Sequence, residues 1–469
     1  MTESNIESNS KMDKHAACPH VIILPYPSQG HINPLLQFAK RLAGKGLRPT
    51  VATTHYTTNF IRAPSVAVEP ISDGFDDGGF AQARNEGNFL NSFKHNGSKS
   101  LSDIIGKYES TDHPVRCIIY DAFFPWALDV ARRHRLLAAA FFTNSAAVCA
   151  IFSHIHGGTL SLPVAVSDKP LLLPGLPELN SGDLPGFLRA PESYPAYLAM
   201  KLNQFSNLDR ADFVFDNSFQ ALEGQEAKSV AEKWPARLIG PMVPSAYLDG
   251  RIEGDKGYGA SLWKPLTEPL TAWLGAREPA SVAYISFGSM VSLTADQTAE
   301  IAEALLKGPS DFLWIVRETE LKKLPEGFTE AVDGKGMIVP WCNQLEILAH
   351  PAVGCFVTHC GWNSTLEGLS LGVPMVAVPQ WADQMTDAKF IEGIWGVGVR
   401  AKEDEFGIVR REELVRCLKE VTEGEKSLVI RKNVRKWKDL AKAAMDEGGS
   451  SDRAIDEFVK ELMIDKGTC

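Results

Sequence analysis

The sequence contains neither of the glycine-rich phosphate loops that strand-to-helix turns commonly carry. No G-x-G-x-x-G follows an apolar strand pattern and no G-x-x-x-x-G-K-[ST] occurs, which removes the best support for a nicotinamide enzyme or a P-loop NTPase. Long lysine and arginine runs are missing too. With 48 basic and 58 acidic residues the net charge is −10, so nucleic acid is not expected as a partner. No segment reaches the roughly 18 uninterrupted apolar residues of a membrane span. The first fifteen residues are polar, and the apolar run behind them is too short for a secretory signal, so no span and a cytoplasmic location are expected. The eight cysteines, at 18, 117, 149, 342, 355, 360, 417 and 469, are scattered and mostly inside apolar runs, as in a reduced compartment. Cys355, His359 and Cys360 lack a second ligand pair, so no metal site is expected.

What is present is a soluble composition of 44% hydrophobic and 23% charged residues in 469, too long for one ordinary core. From residue 20, apolar runs such as "VIILPYP", "RPTVATT" and "RCIIYDAFF" alternate with helical patterns such as "PLLQFAKRLAGKG" and "PWALDVARRH". A second such series begins at "SVAYISFGS". The succession predicts α/β architecture with two parallel sheets and a cleft between them. The expected divisions are a disordered tail over 1–17, an N-terminal domain over 18–245, and a Gly- and Pro-rich linker over 246–268. A second domain follows over 269–450, then a terminal helix over 451–469 that crosses back to the first domain. The Pro- and Leu-rich stretch from about 160 to 210 reads as excursions over the first sheet.

Two stretches concentrate polar residues at strand ends. "PYPSQGHINP" (25–34) reads as a tight loop between the first strand and a helix beginning near Pro34, and it presents His31 where α/β proteins bind ligands. A helix cap is the alternative for that histidine. "THCGWNSTLEG" (358–368) runs from a buried strand through Gly361 into a helix whose first turn offers free N–H groups to a phosphate. His359, Asn363 and Ser364 add donors there, Glu367 one turn on suits a ribose diol, and Trp341 suits a base. Singly, Asn363 reads equally as a cap, Trp341 as core and Glu367 as a solvated helix residue. Together they describe a nucleotide-diphosphate site.

Residues 341–384, "WCNQLEILAHPAVGCFVTHCGWNSTLEGLSLGVPMVAVPQWADQ", resemble the signature box of plant secondary-product UDP-glycosyltransferases. The resemblance extends from "PSQGHINP" to the terminal helices. It implies a GT-B fold: two Rossmann-like domains with parallel sheets facing across a cleft. It implies uracil stacking on Trp341, with Cys342 and Gln344 beside the uridine and Glu367 on the ribose. His359, Gly361, Asn363, Ser364 and Ser289 would hold the diphosphate, and Trp362, Asp383, Gln384 and Thr143 the sugar. The closing Gln384 resembles glucose users, so UDP-glucose is the expected donor substrate and no cofactor is expected.

The same resemblance makes His31 the general base and Asp121 its orienter; a helix N-cap is the bland alternative for Asp121. No Asp-x-Asp pair stands at a strand end to hold a divalent ion, which suggests metal-independent, inverting transfer giving a β-glucoside. Gly30, Phe123, Phe124, Phe142, Phe187, Met200, Phe205 and Met290 are candidates for the wall of a hydrophobic acceptor pocket, although core residues would look the same. "SDGFDDGG" (72–79) resembles a branch whose acceptors include salicylate-type phenolics, thiohydroximates, terpenoids and steroids. A hydroxyl is the expected target, with carboxyl and thiol open, and a monomer is expected. A nucleotide-sugar epimerase and a non-catalytic UDP-sugar binder are the competing readings.

Overall fold

The computed structural model describes residues 18–464 apart from 165–168, 189, 262, 264, 265, 267 and 333. The tail expected over 1–17, and residues 465–469 of the expected terminal segment, lie outside the described residues.

The apolar runs form two all-parallel sheets. The first contains β1 (His20–Leu24), β2 (Arg48–Thr54), β3 (Ala67–Ile71), β4 (Val115–Asp121), β5 (Leu137–Phe142), β6 (Phe213–Asp216) and β7 (Ala236–Leu238), in the order β3-β2-β1-β4-β5-β6-β7. The second contains β8 (Val282–Ser286), β9 (Asp311–Ile315), β10 (Gly336–Val339), β11 (Val353–Thr358), β12 (Met375–Ala377) and β13 (Gly398–Arg400), in the order β10-β9-β8-β11-β12-β13. Helices cover both faces, so central strands such as β1 and β8 are buried on both sides and read as continuous apolar runs rather than alternating ones. Each order reverses once, between β1 and β4 and between β8 and β11. At such a reversal the connections leave in opposite directions and a crevice opens beyond the carboxyl ends of the strands.

The helix after β1 spans Gln29–Gly44 and buries Leu35, Leu36, Phe38, Ala39 and Leu42 completely. It starts earlier than its sequence suggests. Ser28 is extended, Gln29 opens the helix, and His31 therefore lies in its first turn rather than in a loop. Pro34 sits inside the helix, where its missing N–H leaves the carbonyl of Gly30 without an intrahelical partner.

The stretch between β5 and β6 does more than cover the first sheet, because it also docks on the second. Asp183 accepts from Arg400 Nη1 at 2.8 Å, Thr386 Oγ1 donates to the Asp183 carbonyl at 2.7 Å, and the Gly186 N–H donates to the Ala382 carbonyl at 2.9 Å. The connection between the sheets is likewise held: Asp255 takes Lys40 Nζ at 2.9 Å and Gln37 Nε2 at 2.6 Å, and Asp249 takes Arg41 at 3.1 Å. The last helix, Ser450–Met463, buries Ile455, Phe458, Val459 and Leu462, with Phe458 packed on Phe38, Phe213 and Phe215 of the first sheet's layers. No helix among the described residues is long and apolar enough to cross a membrane.

Candidate active site

One cavity of about 790 Å³ lies between the carboxyl ends of the two sheets, at both reversal points. On the first side, β1 leads into the helix that carries His31, and β4 ends on Asp121. His31 Nδ1 is 2.6 Å from Asp121 Oδ2, the two side chains being 16% and 1% exposed. Asp121 Oδ2 also accepts from the Tyr26 N–H at 3.3 Å, and Oδ1 accepts from the Phe123 N–H at 3.0 Å. With both oxygens occupied by donors, the carboxylate is fixed in place and its lone pairs select the tautomer with the proton on Nδ1. Nε2 is then the basic nitrogen. Thr143 Oγ1 lies 3.1 Å from the same Nδ1, and the imidazole packs against Phe123 with ring centroids 4.7 Å apart. The helix Trp126–Arg133 has Pro125 at its N-cap, so Asp121 caps nothing.

On the second side, β8 leads into Phe287, Gly288 and Ser289, and β11 into His359 and the helix Trp362–Leu371. A Cβ on Gly288 or Gly361 would come within 2.8 Å or 2.6 Å of the His359 ring, so these glycines admit the imidazole between two loops. Gly288 also has φ +68°, a conformation that favours glycine. Burial pulls the His359 pKa down to about 4 against the opposing charge of Asp383, so the ring is neutral near pH 7.

One turn into the helix, Glu367 accepts from Tyr258 OH at 2.8 Å and from Gln344 Nε2 at 2.6 Å. Burial pushes its carboxyl up to about 7, against those two hydrogen bonds. Gln344 Nε2 also donates to Ser364 Oγ at 2.9 Å, and its Oε1 accepts from Tyr284 OH, which touches the Cys342 thiol at 3.5 Å. Gln384 Oε1 accepts from the N–H groups of Gln380 and Trp381 at 2.9 and 3.1 Å, so its Nε2 is the donor left for a ligand.

The cavity brings together His31, Gly30, Phe123, Thr143, Phe187, Met200, Ser289, Met290, Trp341, Cys342, Gln344, His359, Gly361, Trp362, Asn363, Ser364, Glu367, Asp383 and Gln384. Asp121 lies behind His31, away from the wall. Trp362 is committed to structure on one edge, its indole N–H donating to the Asn217 carbonyl at 2.9 Å. Three expected acceptor residues are corrected. Phe124, Phe142 and Phe205 are core: Phe124 packs among Tyr26, Phe93 and Trp126, and Phe142 and Phe205 pack on each other, with Trp234 behind Phe205. Phenyl groups on β4, β5 and the following turns look alike in sequence whether they face the cleft or the layer behind it.

Several lining residues carry no sequence signal. Tyr258 and Trp263 come from the connection between the sheets, and the Trp263 ring lies 4.5 Å from that of Trp341. Asn144, Tyr197 and Lys201 complete the first side, where Tyr26 of the 25–34 stretch joins them, and Trp381 of the 341–384 stretch reaches the rim from the second side.

Residues 230–442 match the family described as UDP-glucoronosyl and UDP-glucosyl transferase. The chain is 52% identical over 451 residues to UDP-glycosyltransferase 74B1 of Arabidopsis thaliana, covering 94% of this chain and 97% of the relative. It is 49% identical over 453 residues to the flavonol 7-O-beta-glucosyltransferase UGT74F1 of the same plant, covering 95% and 98%. The crystal structure of Os79 from O. sativa in complex with UDP superposes with a TM-score of 0.89 at 40% identity, over 94% of this chain and 100% of that one. Identity of this order across nearly the whole of both partners makes the protein a member of the UDP-glycosyltransferase family, a glycosyltransferase of the GT-B fold.

Proposed function

We propose that the protein transfers glucose from UDP-glucose to a hydroxyl group of a hydrophobic small molecule, with inversion and without a metal ion. The observation that carries this reading is the His31–Asp121 pair at 2.6 Å, facing the second sheet's donor-rich loops across a single cleft. Nε2 takes the acceptor's proton as the oxygen attacks the anomeric carbon, and the bond from that carbon to the β-phosphate oxygen breaks with its electrons leaving on UDP. An acceptor entering from the first side meets the face opposite the leaving group, which gives a β-glucoside.

Trp341 is assigned to the uracil, Glu367 and Gln344 to the ribose side, and His359, Asn363, Ser364 and Ser289 to the diphosphate. The free N–H groups opening the helix Trp362–Leu371 stabilise the departing charge, the role a divalent ion would otherwise take. Asp383, Gln384 and Thr143 are assigned to the sugar, with Gln384 Nε2 free to donate to one of its hydroxyls. Phe123, Phe187, Met200 and Met290 give the acceptor side its apolar wall. In this reading the first sheet with its helices forms the acceptor domain and the second the donor domain. A single chain completes the cleft, which supports a monomer, and the seven described cysteines are all free, which supports a reducing compartment such as the cytosol.

The test is a screen of UDP-sugars against phenolic, terpenoid and steroid acceptors, with products identified by mass and anomeric configuration by NMR. Transfer from UDP-glucose that survives EDTA and yields the β-anomer is expected. Failure with UDP-glucose, dependence on Mn²⁺ or Mg²⁺, or an α-product sinks the corresponding part.

A further inference from the structure

The helix Pro195–Asn203 belongs to the stretch between β5 and β6, and it turns Tyr197, Met200 and Lys201 toward the cleft. A lysine among tyrosine and methionine on a cavity wall is unexpected, because a buried ammonium is costly unless it is paired. Lys201 is only 7% exposed. Its Nζ donates to Asn144 Oδ1 at 2.7 Å and lies 4.7 Å from the centre of the Phe123 ring. Among the described residues no carboxylate comes within ion-pair distance of it. Burial lowers the lysine's pKa against the weaker pull of Asp383, across the cleft, and then of Cys149, Asp121 and Asp387.

Asn144 adds a second donor. An ammonium only donates, so the amide oxygen must face Lys201 and Nδ2 points the other way. That nitrogen is buried without a partner, on a residue 5% exposed that lines the same cavity. Lys201 retains N–H groups beyond the one given to Asn144, and Asn144 retains its two. Two adjacent buried side chains on the cavity wall thus keep donor hydrogens that no described partner receives.

The pair also sits at a defined place. Asn144 follows Thr143, which touches His31, and the Phe123 ring lies 4.7 Å from both the Lys201 ammonium and the His31 imidazole. A molecule whose hydroxyl meets His31 Nε2 therefore has Lys201 and Asn144 on the same side of the cavity.

We propose that Lys201 and Asn144 form an anion subsite of the acceptor pocket, which selects hydroxy acids over acceptors that carry no charge. A carboxylate there accepts from both donors and supplies the missing counter-charge. This rests on the reading of His31 as the base that receives the acceptor's proton.

The probes are 4-hydroxybenzoate and its methyl ester, which keep the hydroxyl and differ in charge at the far end. Wild-type protein is expected to use the acid with a kcat/KM at least about 10-fold above that of the ester, the size of effect a buried charge contact gives. Lys201→Met is expected to lower kcat/KM for the acid about 30-fold, mainly through KM, and to change the ester less than about 3-fold. KM for UDP-glucose should not move. Equal losses on both acceptors, or a rise in KM for UDP-glucose, overturn the subsite and make Lys201 a counter-ion of Asp383.

If Lys201→Met does not fold, wild-type affinity for acid and ester in the presence of UDP, read by tryptophan fluorescence, still decides, and equal affinities overturn the proposal. Absence of transfer to either probe with tighter binding of the acid counts against the general-base reading and leaves the subsite standing.

Discussion

Asp121 touches His31 through one oxygen while each of its oxygens also receives a backbone N–H, from Tyr26 and from Phe123. This arrangement makes Asp121→Asn informative. If the amide NH₂ faces Tyr26 and His31, it donates to Nδ1 and moves the ring proton to Nε2, which then cannot act as a base. If it faces Phe123, it opposes a buried N–H. Either way kcat for a hydroxyl acceptor is expected to fall on the order of 100-fold, as it should in His31→Ala. UDP affinity measured by calorimetry should change less than about 3-fold. An acceptor thiol, already easily ionised, should suffer less. Near-normal turnover in His31→Ala would remove the base from the mechanism.

Glu367 carries a pH prediction. Burial holds its carboxyl at about 7, above the ordinary 4.5, so it is largely neutral at pH 6 and largely charged at pH 8. The folded state then binds more protons than the unfolded chain between pH 4.5 and about 7, and this group's contribution to stability declines as pH rises through that window. Ribose hydroxyls donating to the carboxylate favour its charged form, so UDP should bind more tightly at pH 8 than at pH 6, by less than about tenfold per pH unit. Glu367→Gln should bind UDP more weakly at pH 8 and lose this part of the slope. A wild-type slope identical to the variant's assigns the pH dependence to another group.

The parallel sheets were legible because strands buried on both faces, such as β1, β8 and β11, leave continuous apolar runs. The residues lining the second side of the cavity were legible because one contiguous stretch, 341–384, supplies the ends of three strand-to-helix connections. Lys201 and Tyr258 were not, because each reaches the cleft from a stretch whose path no local pattern sets, and Asn144 and Tyr284 were not, because nothing in a strand or at its end marks which side chain will face a ligand. Phe124, Phe142 and Phe205 were misassigned for a related reason: a phenyl at or beyond a strand or helix end is apolar in either direction. The early start of the first helix was hidden by Gly30 and Pro34, both poor helix formers.

Phe458 tests whether the terminal helix is integral to the first sheet's layers. Its ring is fully buried, 4.9 Å from Phe213 and 5.0 Å from Phe215. Phe458→Ala leaves a cavity that two facing aromatics cannot fill, and the expected loss is about 3–5 kcal/mol. It would be read as a lowered urea midpoint. A loss under about 1 kcal/mol would mean the helix is only laid on the surface.

Asn363 and Pro34 should behave as a coupled pair through the carbonyl of Gly30. In a regular helix the N–H at position 34 would donate to the carbonyl of Gly30; proline has none, and Asn363 Nδ2 donates to that carbonyl instead, at 2.6 Å across the cleft. The contact ties the first turn of the acceptor-side helix to the first turn of the helix assigned to the diphosphate. Asn363→Ala removes it and should raise KM for UDP-glucose about 3- to 10-fold, the worth of one hydrogen bond. Pro34→Ala supplies a competing N–H and should raise the same KM by a smaller factor. In the double variant the Pro34 effect should vanish, because the bond it competes with is gone. Simple multiplication of the two effects would show that the carbonyl is not shared, and that Asn363 acts on the donor alone.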